Sequence, residues 1–141
     1  MDVVTEMMAT VAQWPGITAH PHRFGGTEFK LSNVEIGHIH RGGLVDIPFP
    51  RKIKAQLLSE GKASTHHILP DSGWISFWMR ADEDLERAVW LMRLSYLHKL
   101  AARSRPSWVN EFSINIRAEL VRFEMSAPLR LLVERASRVQ G

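Results

Sequence analysis

Three short strand-like runs follow one another between residues 27 and 49, separated by turns too short for a crossover, which makes an antiparallel meander. Thr27 to Leu31 alternates, with Thr27, Phe29 and Leu31 on one face and Glu28 and Lys30 on the other. Val34 to His40 is the second run and Leu44 to Phe49 the third. Arg41-Gly42-Gly43 lies between them and reads as a hairpin turn, because tight hairpins need the positive φ angles that glycine accepts. Pro48 and Pro50 end the meander.

Helical patterns flank it. Val4, Met7, Met8 and Val11 have helical spacing, and Trp14-Pro15-Gly16 stops that helix. His20 to Gly26 reads as extended or irregular, a surface segment packed by Phe24 and Trp14. Arg51 to Glu60 is a short helix with Ile53 and Leu57 inward and Gly61 as its C-cap. His66 to Gly73 is a loop with a short strand at its start, and Trp74 to Met79 is a strand rich in aromatic and β-branched residues. Ala81 to Arg103 is the clearest helix, with Leu85, Ala88, Val89, Met92 and Tyr96 as its apolar stripe. Asp82, Glu83 and Asp84 at one end, and Arg93, His98, Lys99 and Arg103 towards the other, suit the helix dipole. Two more helices follow Arg105-Pro106-Ser107, the second starting at Ala127-Pro128.

The fold class expected is therefore α+β: an antiparallel four- or five-stranded sheet packed by helices on one face, with an extra C-terminal helical segment. Residues 1–104 form the α+β domain. Residues 105–141 form a helical extension whose Leu/Val stripe packs on the same domain or on a second subunit as a homodimer.

The absence of cysteine excludes disulfides, thiolate metal sites and a thiol nucleophile. No apolar run spans a bilayer, and the acidic N-terminal residues do not read as a signal peptide, so a cytoplasmic location without membrane attachment is expected. The net charge of +3 is spread over many segments, whereas a nucleic-acid reader concentrates it on one face, so solvated helix faces are the expected use of these charges.

The chemistry-bearing residues are histidines, 7 of them, mostly in close pairs. His38 and His40 share a strand face. The turn decides what they meet. A two-residue Gly42-Gly43 turn pairs Arg41 with Leu44, sets His38 opposite Ile47 and turns both imidazoles into an apolar layer. A three-residue turn sets His38 against Asp46 instead. The first keeps the apolar residues together and is the register expected. An imidazole in an apolar pocket stays neutral, fit to accept a proton or bind a metal. The plainer alternative makes both histidines hydrogen-bonded core residues.

A three-histidine site for a divalent metal, from His38, His40 and His67, is open by ligand type, with Asp46 the nearest carboxylate. His20 and His22 fall on one side of an extended segment and are candidate ligand contacts. His66 and His67 are adjacent and point opposite ways on an extended chain, so at most one joins a site. Asp71-Ser72-Gly73 is turn chemistry, and no nucleophile elbow, phosphate loop or dinucleotide fingerprint is present. Trp74, Ser76 and Trp78 share a strand face, where a tryptophan packs the core or stacks on a flat ligand.

The motifs Thr27-Glu28-Phe29, Glu35-Ile36-Gly37-His38-Ile39-His40, Leu44-Val45-Asp46-Ile47-Pro48, His67-Ile68-Leu69-Pro70, Gly73-Trp74-Ile75-Ser76-Phe77 and Leu94-Ser95-Tyr96 together resemble the luciferase-domain family. Trp14-Pro15-Gly16 and Ala19 to Gly26 resemble its bacterial branch. The resemblance covers roughly residues 13–98. It implies a pocket at His38, His40, His67 and Trp74, with Asp46 and Tyr96 as further candidate ligand contacts, and no bound cofactor, as in the mushroom member, which oxidises a hydroxylated styryl-pyrone with molecular oxygen. A looser similarity is to small α+β DNA-binding domains. Two functions follow: an oxygenase-type enzyme in which His38 or His40 deprotonates an enol or phenol, or a non-catalytic module binding a small ligand, a protein or nucleic acid.

Overall fold

The computed structural model describes residues 2–22 and 25–137. Phe24, expected to pack the segment after Trp14, lies outside them.

Helix α1 (Val3–Ala12) is capped by the Asp2 carboxylate, which accepts the Thr5 N–H at 2.8 Å, and it buries Met7 and Val11. The chain turns at Trp14-Pro15-Gly16 into β1 (Ile17–Pro21), then runs through β2 (Thr27–Leu31), β3 (Val34–Ile39) and β4 (Leu44–Pro48). Helix α2 (Arg51–Ser59) leads to β5 (Ser64–Thr65), a loop, and β6 (Trp74–Trp78). A 3-10 turn at Asp82–Asp84 starts the long helix α3 (Leu85–Ala102), followed by α4 (Pro106–Phe112), α5 (Ile116–Arg122) and α6 (Ala127–Ala136).

The fold is α+β, as expected. The sheet is six-stranded and antiparallel, in the order β1-β2-β3-β4-β6-β5. Its two outer strands are the ones the sequence barely marks. β1 is mostly exposed, so it lacks apolar alternation, and β5 is two residues long.

Helix α3 lies across β2, β3 and β4, and α1, α5 and α6 pack against it. It is buried from Leu91 to Ala101 apart from Arg93, far more than its one apolar stripe requires, because other helices cover the faces the sheet does not. His98 and Lys99 are therefore buried and not solvated dipole partners. Lys99 Nζ donates to the carbonyl oxygen of Pro48 and to Ser95 Oγ, and Ser95 Oγ donates to the carbonyl oxygen of Ile36 at 2.7 Å.

Two irregularities of β3 set the site. Phe29 pairs with Gly37 but Lys30 pairs with Glu35, so Ile36 is an extra residue, a β-bulge. The turn after β3 spans Arg41-Gly42-Gly43: the His40 N–H donates to Leu44 O at 2.8 Å, and the Gly43 N–H returns to His40 O at 3.0 Å. His38 consequently pairs with Asp46 and Ile39 with Val45. The two-residue turn that set His38 opposite Ile47 is overturned, and with it the apolar pocket. A side chain at Gly37 would strike Met92 Sδ at 2.6 Å, so Gly37 faces α3. His38, one residue on, points to the opposite face of the sheet.

Candidate active site on the open face of the sheet

Asp46 sits mid-strand on β4, between His38 of β3 and Ser76 of β6. All three side chains point away from α3. Asp46 is fully buried, so each of its lone pairs needs a partner. Oδ1 accepts the Ser76 hydroxyl at 2.6 Å. Oδ2 faces four imidazoles at once: His40 Nε2 at 2.8 Å, His38 Nε2 at 3.3 Å, His67 Nε2 at 3.3 Å and His66 Nε2 at 3.5 Å. That demand for polar partners selects the register. The register that set His38 opposite Ile47 would have turned Asp46 to the other face of the sheet, away from the imidazoles that donate to it.

The bulge supplies the next contact. In a regular strand residues three apart point to opposite faces. The extra residue at Ile36 changes the parity, so Glu35 comes round beside His38, whose Nδ1 donates to Glu35 Oε2 at 2.7 Å.

His66 and His67 reach Asp46 together, contrary to the expectation that at most one joins. Their segment is a turn and not an extended strand, and the two rings stack with centroids 4.4 Å apart. The turn is tied in place from both sides. His66 Nδ1 accepts the backbone N–H groups of Ile68 at 3.1 Å and Leu69 at 3.0 Å. From α2, Lys54 Nζ donates to the carbonyl oxygens of Pro70 and Ser72, both at 2.6 Å.

The remaining candidates divide. His22 stacks on His38 with ring centroids 4.0 Å apart, and Trp74 lies 5.3 Å from His38 and 6.0 Å from His66. His20 stays on exposed β1, its Nε2 2.8 Å from Thr18 Oγ1, outside the cluster. Tyr96 is buried in the helical layer, its hydroxyl donating to Pro15 O at 2.6 Å, so it stands apart from the cluster. Glu35, His66 and Ser76 belong to the site without having been singled out from the sequence. For Ser76 the signal was present, in its shared strand face with Trp74.

Charge follows geometry. Burial alone would raise the Asp46 carboxyl, but hydrogen bonds from His38, Ser76 and His40 overcome it and hold the group well below the usual carboxylate range. Burial likewise pulls His38 down, and the bonds to Asp46 and Glu35 outweigh it, raising the imidazole to about 9. With only protons in the cluster, His38 is a cation between two carboxylates and not the neutral acceptor that an apolar pocket would give. Burial lowers His22, helped by His38, and burial also lowers His66 against the pull of Asp46.

Two trios have metal-ligand spacing, His38-His40-Asp46 and Asp46-His66-His67, with donor atoms within 4.8 Å of one another in each. One side of the site is open. His67 is 43% exposed, and the next two residues present large apolar side chains to solvent, Ile68 at 70% and Leu69 at 52%. Among the described residues no helix is long and apolar enough to cross a membrane.

A family model described as Luciferase domain matches residues 33–95. The span contains Glu35, His38, His40, Asp46, His66, His67, Trp74 and Ser76, and leaves out His22 and the helices after α3. No curated protein and no solved structure matches the chain significantly.

Proposed function

We propose that the protein is a small-molecule enzyme that oxidises a planar enolic or phenolic substrate with molecular oxygen at the histidine face of the sheet. The observation that carries this reading is the convergence of imidazoles on one buried carboxylate beside an open, apolar rim. The luciferase-domain match over the same strands supports it.

The chemistry asked of the site is modest. The substrate hydroxyl gives its proton to an imidazole of the cluster, and the resulting anion is held by the positive side of the same cluster. Trp74, Ile68 and Leu69 offer surface to the planar body. The electron-rich carbon of the anion then bonds to molecular oxygen, and the peroxide anion takes up the proton. The O–H bond is the one broken; the π electron pair of the anion forms the C–O bond and reduces oxygen to the peroxide level, so no other oxidant is consumed.

Oxygen uptake with a panel of hydroxypyrones and phenols tests the reading. Uptake by the wild-type chain is expected, with His40→Ala lowering kcat/KM by about 100-fold or more, the usual worth of a group that stabilises the developing anion. Trp74→Ala is expected to act mainly on KM. A folded wild-type chain that takes up no oxygen with any member of the panel would count against the reading.

A further inference from the structure

The crowding at Asp46 Oδ2 exceeds what hydrogen bonds to one oxygen can satisfy. A carboxylate oxygen has room for about two hydrogen bonds, and here four Nε2 atoms approach between 2.8 and 3.5 Å. The other ring nitrogens fix what two of them are. His66 Nδ1 accepts two backbone N–H groups, so its proton is on Nε2, and His66 is a donor to Asp46. His38 is the reverse. Its Nδ1 donates to Glu35, so Nε2 meets Asp46 either with the second proton of the cation described above or with a lone pair that a metal ion can take in that proton's place. One ion at the point where these Nε2 atoms and Asp46 Oδ2 converge would stand in for several of those protons at once.

We propose that the cluster is a binding site for one divalent transition-metal ion, with His38, His40, His67 and Asp46 as ligands and His66 outside the ligand set. The separations from Asp46 Oδ2 fit, and His38, His40 and Asp46 form one trio; His67 stands in the other trio and joins them by rotation of its exposed ring. With metal–nitrogen bonds of about 2.0–2.1 Å, neighbouring ligands of one ion lie roughly 3.0 to 3.4 Å apart. The Nε2 atoms of His40, His38 and His67 lie 2.8, 3.3 and 3.3 Å from Asp46 Oδ2. The two trios meet at that oxygen, and His67, the exposed member, is the one free to swing in. The surroundings fit too. His38 donating through Nδ1 to a carboxylate while presenting Nε2 is the arrangement that orients a metal-bound imidazole, which makes Glu35 a positioning residue. Ser76 holds the other Asp46 oxygen in the same way.

Three imidazoles and one carboxylate suit zinc, iron(II), cobalt(II) or nickel over magnesium or calcium, which prefer oxygen ligands. Three neutral imidazoles, one carboxylate and a divalent ion leave the centre positively charged, and its open side faces His67. An anionic oxygen ligand, such as the enolate or phenolate of the function proposed above, is the class it would take. The metal site does not depend on that reaction, because metal content is measured without substrate, so either can fail alone.

The test uses the full chain without an affinity tag of histidines. Metal content is measured after purification without chelator. The stripped protein is then titrated with zinc and with cobalt(II), whose visible absorption reports coordination. One ion per chain is expected. His67→Ala, on an exposed side chain that does not endanger folding, is expected to weaken binding by about 10-fold or more, and Glu35→Gln by roughly 10–100-fold without changing stoichiometry. His66→Asn, whose amide oxygen can still accept the two backbone N–H groups, is expected to keep one ion and the wild-type cobalt spectrum. A folded wild-type chain that binds none of these ions overturns the site. Binding unchanged in both His67→Ala and His40→Ala overturns it equally. Loss of the ion in folded His66→Asn overturns the ligand assignment.

Discussion

At the scale of single residues the chain keeps two buried imidazoles in opposite conditions. His38 lies between carboxylates. His98, on the far side of the sheet in α3, is buried with no hydrogen-bond partner for Nδ1 among the described residues. Burial, with Lys99 and Arg103 adding to it, lowers His98 to about 4. The unfolded chain takes up a proton at His98 as pH falls through about 6.5, and the folded chain does not until about 4. Stability therefore drops across that window as pH falls, by up to roughly 3 kcal/mol, and the contribution levels off below it. Urea unfolding of wild type and His98→Phe between pH 7 and 4 is expected to show a shallower acid decline in the variant. Parallel curves would mean that His98 is not the group responsible. Asp46 gives a second residue-scale outcome. Ser76→Ala leaves a buried carboxylate oxygen unpaired and is expected to cost about 1–3 kcal/mol in the same assay. Asp46 was visible in the sequence as the carboxylate nearest the histidines, but its place opposite His38 belonged to the register that apolar alternation disfavoured. Apolar alternation is a reading of side chains one at a time, whereas the register was decided by what a buried carboxylate needs from the two strands beside it and from the histidine turn.

At the scale of elements, the site depends on two departures from regular structure. The bulge at Ile36 brings Glu35 to His38, and the turn after β5 brings His66 and His67 to Asp46. Neither leaves a residue pattern of its own. A bulge breaks the period-two rule that identifies strands, and adjacent histidines look incompatible with one site only if the chain is extended. The regular parts were legible: β2 from its alternation, β6 from its aromatic and β-branched run, α1 and α2 from their apolar spacing. The histidine turn is clamped by Lys54, buried in α2 with its ammonium on Pro70 O and Ser72 O. Lys54→Met keeps the stem and removes both bonds. It is expected to cost about 1–3 kcal/mol and to raise amide exchange of residues 66–73 above that of β4 and β6. Equal protection of the loop in both proteins would show that His66 and Ser72 hold it without the lysine.

At the scale of the whole molecule the question is what residues 105–141 contribute, since the family match ends at residue 95. A core confined to the matched region would leave α3 half bare. Instead Trp108, Ile114, Ile116, Leu120, Leu129 and Val133 are buried within the same chain, α5 and α6 pack on α3, and α6 also packs on α2. Arg130 ties the segment together through the carbonyl oxygens of Leu120 and Phe123, and Ser126 Oγ donates to Glu60 Oε2 beyond α2. Burying those apolar side chains contributes on the order of 10 kcal/mol before chain entropy is subtracted, comparable with the 5–15 kcal/mol net stability of an ordinary domain. A chain ending at residue 104 is therefore expected to lose cooperative unfolding and to expose the apolar faces of α2 and α3, seen as dye binding and aggregation. The consequence reaches the site, because α3 holds the end of β4 through Lys99 on Pro48 O and the bulge through Ser95 on Ile36 O. If the shortened chain instead unfolds in one sharp transition and takes up metal like the full chain, the tail is an appendage and the matched region folds alone. Light scattering of both chains distinguishes a loss of folding from a loss of assembly.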